Sequence, residues 1–420
     1  MSETDISLFE NETITILVYT ESFSNFPQAI EYFEKIDAFE EFEINYLPIL
    51  NKETKINVSQ CTYKHRREKN IIYSTIKLKN SSGCIGTHNR ILFENFDALT
   101  EDELNLLSEK IILEGNTYAA PFDVVVVSNE WAHKAHPLPS QTIPFSKFKE
   151  FIRLFMINNH KFYIKPHYSI DEFCYYIFRH KYLFKNFQHF WSSNVHSLDD
   201  YNDALDNRLL QFSICLDKAK SLLWQKQNNI TAMHLKYHIS YLILLSTGIF
   251  DNLAWIINNY YALDLGKNSR LNIDLKIYGK KDTFIKSLSK KSPILASFIK
   301  SDTVQRKIEV IREFRDRIVH RDFIKTIASG NSKQTRHNYL MVDAEAKDML
   351  INAGFSRSSF PFSTNAVICA DIADFTDFIE DSVVYITDGL LEIINNELFN
   401  GNKQVIIWAM LDFPCEPYIL

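Results

Sequence analysis

A chain of 420 residues that is 46% hydrophobic and 23% charged has room for two globular domains, and its 10 Gly and 11 Pro leave little for disordered linkers. A formal net charge of -6 excludes coating of nucleic acid by bulk electrostatics, so any nucleic-acid contact must be local. Six scattered cysteines (Cys61, Cys84, Cys174, Cys215, Cys369, Cys415) without a Cys-x-x-Cys spacing exclude a zinc ribbon or disulfide framework and read as reduced thiols.

Met1 to Glu12 is polar and acidic with no apolar h-region, so no secretory signal is read there. β-branched runs then predict strands at Thr13–Tyr19, Glu43–Ile49, Ile71–Leu78, Cys84–Phe93 and Phe122–Ser128. Helices are predicted between them at Gln28–Phe42 and Thr100–Leu113, the second opening on a Thr100/Glu103 capping box. Residues 1–198 therefore read as an α+β domain of unassigned role, with sensing or recruiting as the expectation. Near its end, Phe145 to His189 is rich in aromatic and basic residues, among them Arg153, Arg179 and His180. Such a region either stacks bases and holds phosphates or forms a core.

After about Asp199 the strand signals vanish, and long helices are predicted at Tyr201–Lys226, Thr231–Leu263, Lys281–Lys300, Ser301–Ile327 and Ala366–Leu398. Residues 199–400 read as an all-α helical bundle, with 328–364 a connection or insertion and 401–420 a C-terminal tail. Thr231–Leu263 is apolar nearly all round (Leu235, Tyr241, Leu242, Leu244, Leu245, Ile249, Leu253, Trp255, Ile256), as a central, multiply packed helix requires. Its longest apolar stretch, Ile239–Phe250, is too short to span a bilayer, which with the N-terminus points to a cytoplasmic protein without membrane contact.

Several chemical candidates are weighed and set aside. His234 and His238 have a metal-compatible spacing but no intervening Glu and no evident third ligand, so they read as packing histidines. His133 and His136 follow the Val124–Val127 strand and read as a surface loop. Neither a Walker A, a Gly-x-Gly-x-x-Gly nor a Gly-x-Ser-x-Gly sequence occurs, and neither metal nor cofactor is expected.

The most informative stretch runs from Ile308 to Phe323. On a helix, Val304, Ile308, Ile311, Ile318 and Val319 form one apolar stripe, Arg315 falls inside it, and His320 lies roughly 140° from Arg315. An arginine inside an apolar stripe needs a carboxylate, a phosphate or a subunit cleft, because a buried unpaired charge costs several kcal/mol. Asp316, four residues before His320, is in reach to hold its imidazole and raise its pKa. A structural alternative pairs Arg315 with Asp251 on the central helix and leaves His320 as a cap or in solvent.

The Arg315-Asp316-Arg317-Ile318-Val319-His320 segment, on a late helix of an all-α bundle, resembles the HEPN family (higher eukaryote and prokaryote nucleotide-binding domains) over about residues 200 to 400. Active members of that family are metal-independent endoribonucleases, usually dimers whose two Arg/His pairs share one cleft. The resemblance implies Arg315 and His320 as catalytic residues, with Asp316, Asp251 and Asn252 in support and Arg312, Arg317 and Arg321 as further RNA contacts. It also implies RNA as substrate, a homodimer, a regulatory protein partner and a toxin or antiphage role. A related branch carries a tyrosine two residues after the histidine as a nucleotide acceptor; position 322 here is Asp. The rival implication is a non-catalytic HEPN module for dimerisation or ligand binding.

Overall fold

The computed structural model describes residues 13–37, 39–47, 58–68, 71–80, 83–92, 123–134, 142–165, 168–193, 199–225, 229–263, 265, 273–277, 282–320, 324–329, 337–363 and 368–398. The described residues fall into two compact units, one reaching Asn159 and one starting at His160.

The first unit is built on strands whose apolar residues run without interruption. β1 (Ile14–Tyr19) and β6 (Val124–Val127) are buried along almost their whole length, as strands covered on both faces must be. β1 pairs in parallel with β2 (Phe42–Leu47) and with β6, and β6 in parallel with β7 (Thr142–Pro144), giving the order β2-β1-β6-β7. Helix α1 (Phe26–Ile36) crosses from β1 to β2 and buries Phe26, Ala29, Tyr32, Phe33 and Ile36. It ends before the predicted Phe42, which instead opens β2. A short α2 (Asn129–Lys134) follows β6, and α3 (Phe145–Asn158) follows β7 with Phe148, Phe151 and Phe155 buried. A separate antiparallel meander joins β3 (Val58–Glu68), β4 (Ile71–Asn80) and β5 (Gly83–Leu92). The unit is thus mixed α and β, as expected, with the finer feature that its main sheet is parallel. The predicted helix Thr100–Leu113 lies outside the described residues.

The second unit is mainly helical. After the small β8 (Tyr163–Lys165) and β9 (Tyr168–Ser169) come α4 (Glu172–Leu183), α5 (Lys185–Ser193), α6 (Asp199–Trp224) and α7 (Asn229–Tyr260). Phe184, Phe187 and Phe190 belong to the same apolar core as α6 and α7, so the division between units falls earlier than the expected 198/199. The aromatic region 145–189 consequently serves as core in both units: Arg153, Arg179 and His180 are buried rather than displayed for phosphates.

The predicted Lys281–Lys300 helix is two, α8 (Thr283–Lys291) and α9 (Pro293–Lys300). Pro293 lacks the N–H that would continue the ladder, and Ser292 before it is the N-cap of α9, its Oγ accepting from Leu295 N at 3.0 Å. α10 spans Asp302–His320. A second, antiparallel sheet then appears where the sequence reading saw only a connection. β10 (Thr326–Ser329), β11 (His337–Val342), β12 (Phe362–Ser363) and β13 (Ile368–Asp371) pair in the order β10-β11-β13-β12. Between β11 and β12 lies α11 (Ala344–Asn352), capped by Asp343 and closed by Gly354 at φ 98°, with Phe355 N reaching Leu350 O at 2.9 Å. The last helix, α12 (Ile372–Leu398), begins later than the predicted Ala366, because residues 368–371 join the sheet.

Helix α7 is long and apolar enough to cross a membrane, yet 67% of its most apolar window is buried in the bundle, which makes it a core helix. The tail 401–420 is outside the described residues.

Candidate functional site

Helix α10 carries the candidate site, and its two ends differ. From Val304 to Phe314 it buries Val304, Ile308, Val310, Ile311, Arg312 and Phe314; from Arg315 onward every residue is half-buried or exposed. The stripe read from the sequence therefore stops short. Ile318 is half-buried, and Val319 is 52% exposed. Angular position around the helix placed Arg315 correctly on the apolar side but said nothing of its position along the axis, where burial has become partial and only Ile318 still packs on the core.

The buried arginine of this helix is Arg312. Its Nη2 donates to Asp251 Oδ1 of α7 at 3.0 Å and to Asp274 Oδ1 in the 273–277 segment, while its buried Nε has no hydrogen-bond partner among the described residues. Gln305 holds that segment by accepting from Ile277 N at 3.0 Å and donating to Leu275 O at 2.9 Å. Asp251 is thus the partner of Arg312, not of Arg315 as the structural alternative supposed. Breaking such a buried pair is costly because the surviving carboxylate stays behind uncompensated.

Arg317 is also engaged. It donates to Glu313 Oε1 at 2.8 Å and to Asp343 Oδ2 at 2.8 Å, tying α10 to the N-cap of α11. Neither Arg312 nor Arg317 is placed as an open RNA contact, and Arg321 lies outside the described residues.

Arg315 and His320 remain. The Arg315 side chain is 34% exposed and donates to Asp316 Oδ1 at 2.5 Å. Asp316 is therefore turned to its neighbour rather than to His320, which corrects the expectation that it holds the imidazole. His320 is exposed at the last residue of α10. Asn252 faces the other way, into the bundle. Its Oδ1 accepts from Arg208 of α6, which also reaches Gly248 O, and its buried Nδ2 has no hydrogen-bond partner among the described residues. Gly248 permits this, since a Cβ there would stand 3.2 Å from the guanidinium.

His234 is exposed, and no third ligand joins it and His238 among the described residues. His238 Nδ1 lies 3.6 Å from Cys215 Sγ, but burial pushes the Cys215 thiol up to about 12 and the His238 imidazole down, both of which oppose a thiolate–imidazolium pair. His133 is exposed on α2, and His136 is outside the described residues.

Two features escaped the sequence reading. One is a buried ion network in which Lys220 of α6 meets Asp377 at 2.9 Å and Glu380 at 2.6 Å on α12, with Arg179 3.7 Å from Asp217 and 3.8 Å from Glu380. Only the tertiary contacts of α4, α6 and α12 assemble it. The other is the strand-order reversal between β1 and β6, where open parallel sheets commonly bind ligands. Here Ser22 and Ser128 fill it themselves: Ser128 N donates to Ser22 Oγ at 2.8 Å, and Ser128 Oγ to Ser22 O, with both side chains buried. No protein-family model, no characterised protein and no solved structure matches this chain.

Proposed function

We propose that the helical unit is a HEPN-type endoribonuclease whose reacting groups are His320 and Arg315. The observation that carries this reading is that, of the three arginines described on the last turns of α10, Arg315 is the one not tied to a neighbouring element, and it shares those accessible turns with His320. The chemistry suits the pair. The 2′-hydroxyl of the substrate loses its proton and attacks the adjacent phosphorus, the bond to the 5′-oxygen breaks, and that oxygen takes up a proton. An imidazole handles one of these protons, and a permanent cation offsets the charge of the crowded phosphorane. A second copy of the chain would supply the other imidazole. The N-terminal unit would sense or recruit, in keeping with a toxin or antiphage effector acting in the cytoplasm with a regulatory partner.

Incubating the full chain with RNA in EDTA and mapping the cut ends tests this. Products should carry a 2′,3′-cyclic phosphate and a 5′-hydroxyl, and deoxyribose at the cut should block cleavage. Activity that requires added Mg²⁺ or Mn²⁺, or that cuts the deoxy substrate, would overturn it. The ion pair of Arg315 with Asp316 favours a second reading, a non-catalytic HEPN module, because the neighbouring carboxylate already offsets the charge of the guanidinium. That reading predicts RNA or partner binding without cut products.

A further inference from the structure

Helix α7 was expected to be surrounded, and over most of its length it is. Along its N-terminal half, however, one face is open: Ile230 is 66% exposed, Met233 61%, Tyr237 60%, Tyr241 37% and Leu244 38%. These are five of the nine large apolar side chains exposed among the described residues, and all five lie on one helix. Steps of three and four residues keep them on a single stripe, with the Tyr237 and Tyr241 rings stacked at 6.3 Å.

The order of the steps identifies the occupant. From Ile230 to Leu244 they run three, four, four, three, a series that reads the same backwards. A second α7 laid antiparallel across the first, with the two-fold axis at Tyr237, therefore sets Tyr237 on Tyr237, Met233 on Tyr241 and Ile230 on Leu244. An isologous interface sets the same patch of both copies across the axis, and with this spacing every apolar side chain of the stripe then meets another. The average step of 3.5 residues is also the period at which two helices stay in register along a shared seam. The five residues expose about 500 Å² per copy, so their complete pairing removes about 1,000 Å² in total, the size a specific interface is expected to reach. We infer that this stripe of α7 is the interface by which two copies of the chain pair antiparallel about Tyr237. The inference rests on the exposed face alone and not on the ribonuclease reading.

Light scattering of the full chain at tens of micromolar tests it without RNA. Wild type should give about twice 49.2 kDa. Tyr237→Glu, which opposes two carboxylates on the axis, should give 49.2 kDa, as should Met233→Glu and Tyr241→Lys separately. Combining Met233→Glu with Tyr241→Lys should restore the doubled mass, since each Glu then meets a Lys across the axis; that recovery also excludes misfolding as the cause of the single-variant result. A monomeric wild type, single variants that keep the doubled mass, or a double variant that stays monomeric would each overturn the antiparallel pairing. A monomeric wild type that cleaves RNA would overturn the pairing and the second imidazole while leaving His320 in its role; a dimeric wild type that cuts nothing would uphold the pairing and overturn the ribonuclease reading.

Discussion

Arg312 and Arg315 sit one turn apart on the same face of α10 and are placed in different surroundings. The first is buried between two carboxylates of other elements, and the second is a third exposed beside a carboxylate of its own helix. Burial makes a charge structural, because its partners must be supplied by the fold and their loss is not repaired by water. Exposure leaves a charge able to meet a ligand, at the cost of a weak and screened pair. Along one helix the charges thus grade from buried and paired across elements at Arg312 to partly exposed at Arg315, with Arg317 beyond it still tied to α11.

The largest effect is expected at the buried end of α10. Arg312→Ala should lower unfolding free energy by about 3 kcal/mol, since Asp274 would be left without its cation. Urea denaturation followed by circular dichroism measures this, and a loss under about 1 kcal/mol would show the triad to be dispensable. At the exposed end, His320→Ala should slow RNA cleavage about 100-fold or more while leaving the denaturation midpoint unchanged, the scale expected for a lost proton donor or acceptor. Unaltered cleavage would remove His320 from the mechanism.

A smaller effect sharpens the same contrast elsewhere in the bundle. Asp388 of α12 accepts from Lys185 N at 3.1 Å and Asn186 N at 3.2 Å, capping α5 from another helix. Burial raises its carboxyl to about 6 although the two N–H bonds pull it down. The folded state then holds this proton more tightly than the unfolded state, so its contribution to stability is present below the ordinary carboxyl range and is lost as pH rises through about 6. The stability of wild type minus that of Asp388→Asn should therefore fall between pH 4 and pH 6.5 in thermal melts. A flat difference would mean the carboxylate is better solvated than its burial implies.

The smallest expected effects are local to backbone. Ala262, just beyond α7, has φ 45°, and Gly354, beyond α11, has φ 98° with open space where a Cβ would stand. Ala262→Gly should raise stability by a few tenths of a kcal/mol and Gly354→Ala lower it by about 1 kcal/mol, because L side chains are strained at positive φ. Equal signs for the two would contradict this.

Long features were legible in the sequence and short or axial ones were not. The helices α6, α7 and α12 declare themselves over 26, 32 and 27 residues of periodic apolar spacing. The second sheet does not, since β10 and β13 have four residues each and β12 two, too few to display an alternation. The break at Pro293 was readable and depended on giving proline its full weight against the surrounding periodicity. Spacing also brought Arg315 and His320 forward, yet the buried role fell to Arg312, because a helical wheel records angle and not depth along the axis. The open stripe of α7 was hidden for a related reason: a helix apolar on all sides gives no sign of which side its own chain leaves uncovered.

The division of labour on α10 is tested most directly by Arg315→Ala, assayed for RNA cleavage in EDTA and for its urea midpoint in the same preparation. Cleavage should fall about 100-fold with the midpoint unmoved, the opposite pattern to Arg312→Ala. Full cleavage, or a midpoint that falls as far as that of Arg312→Ala, would contradict it.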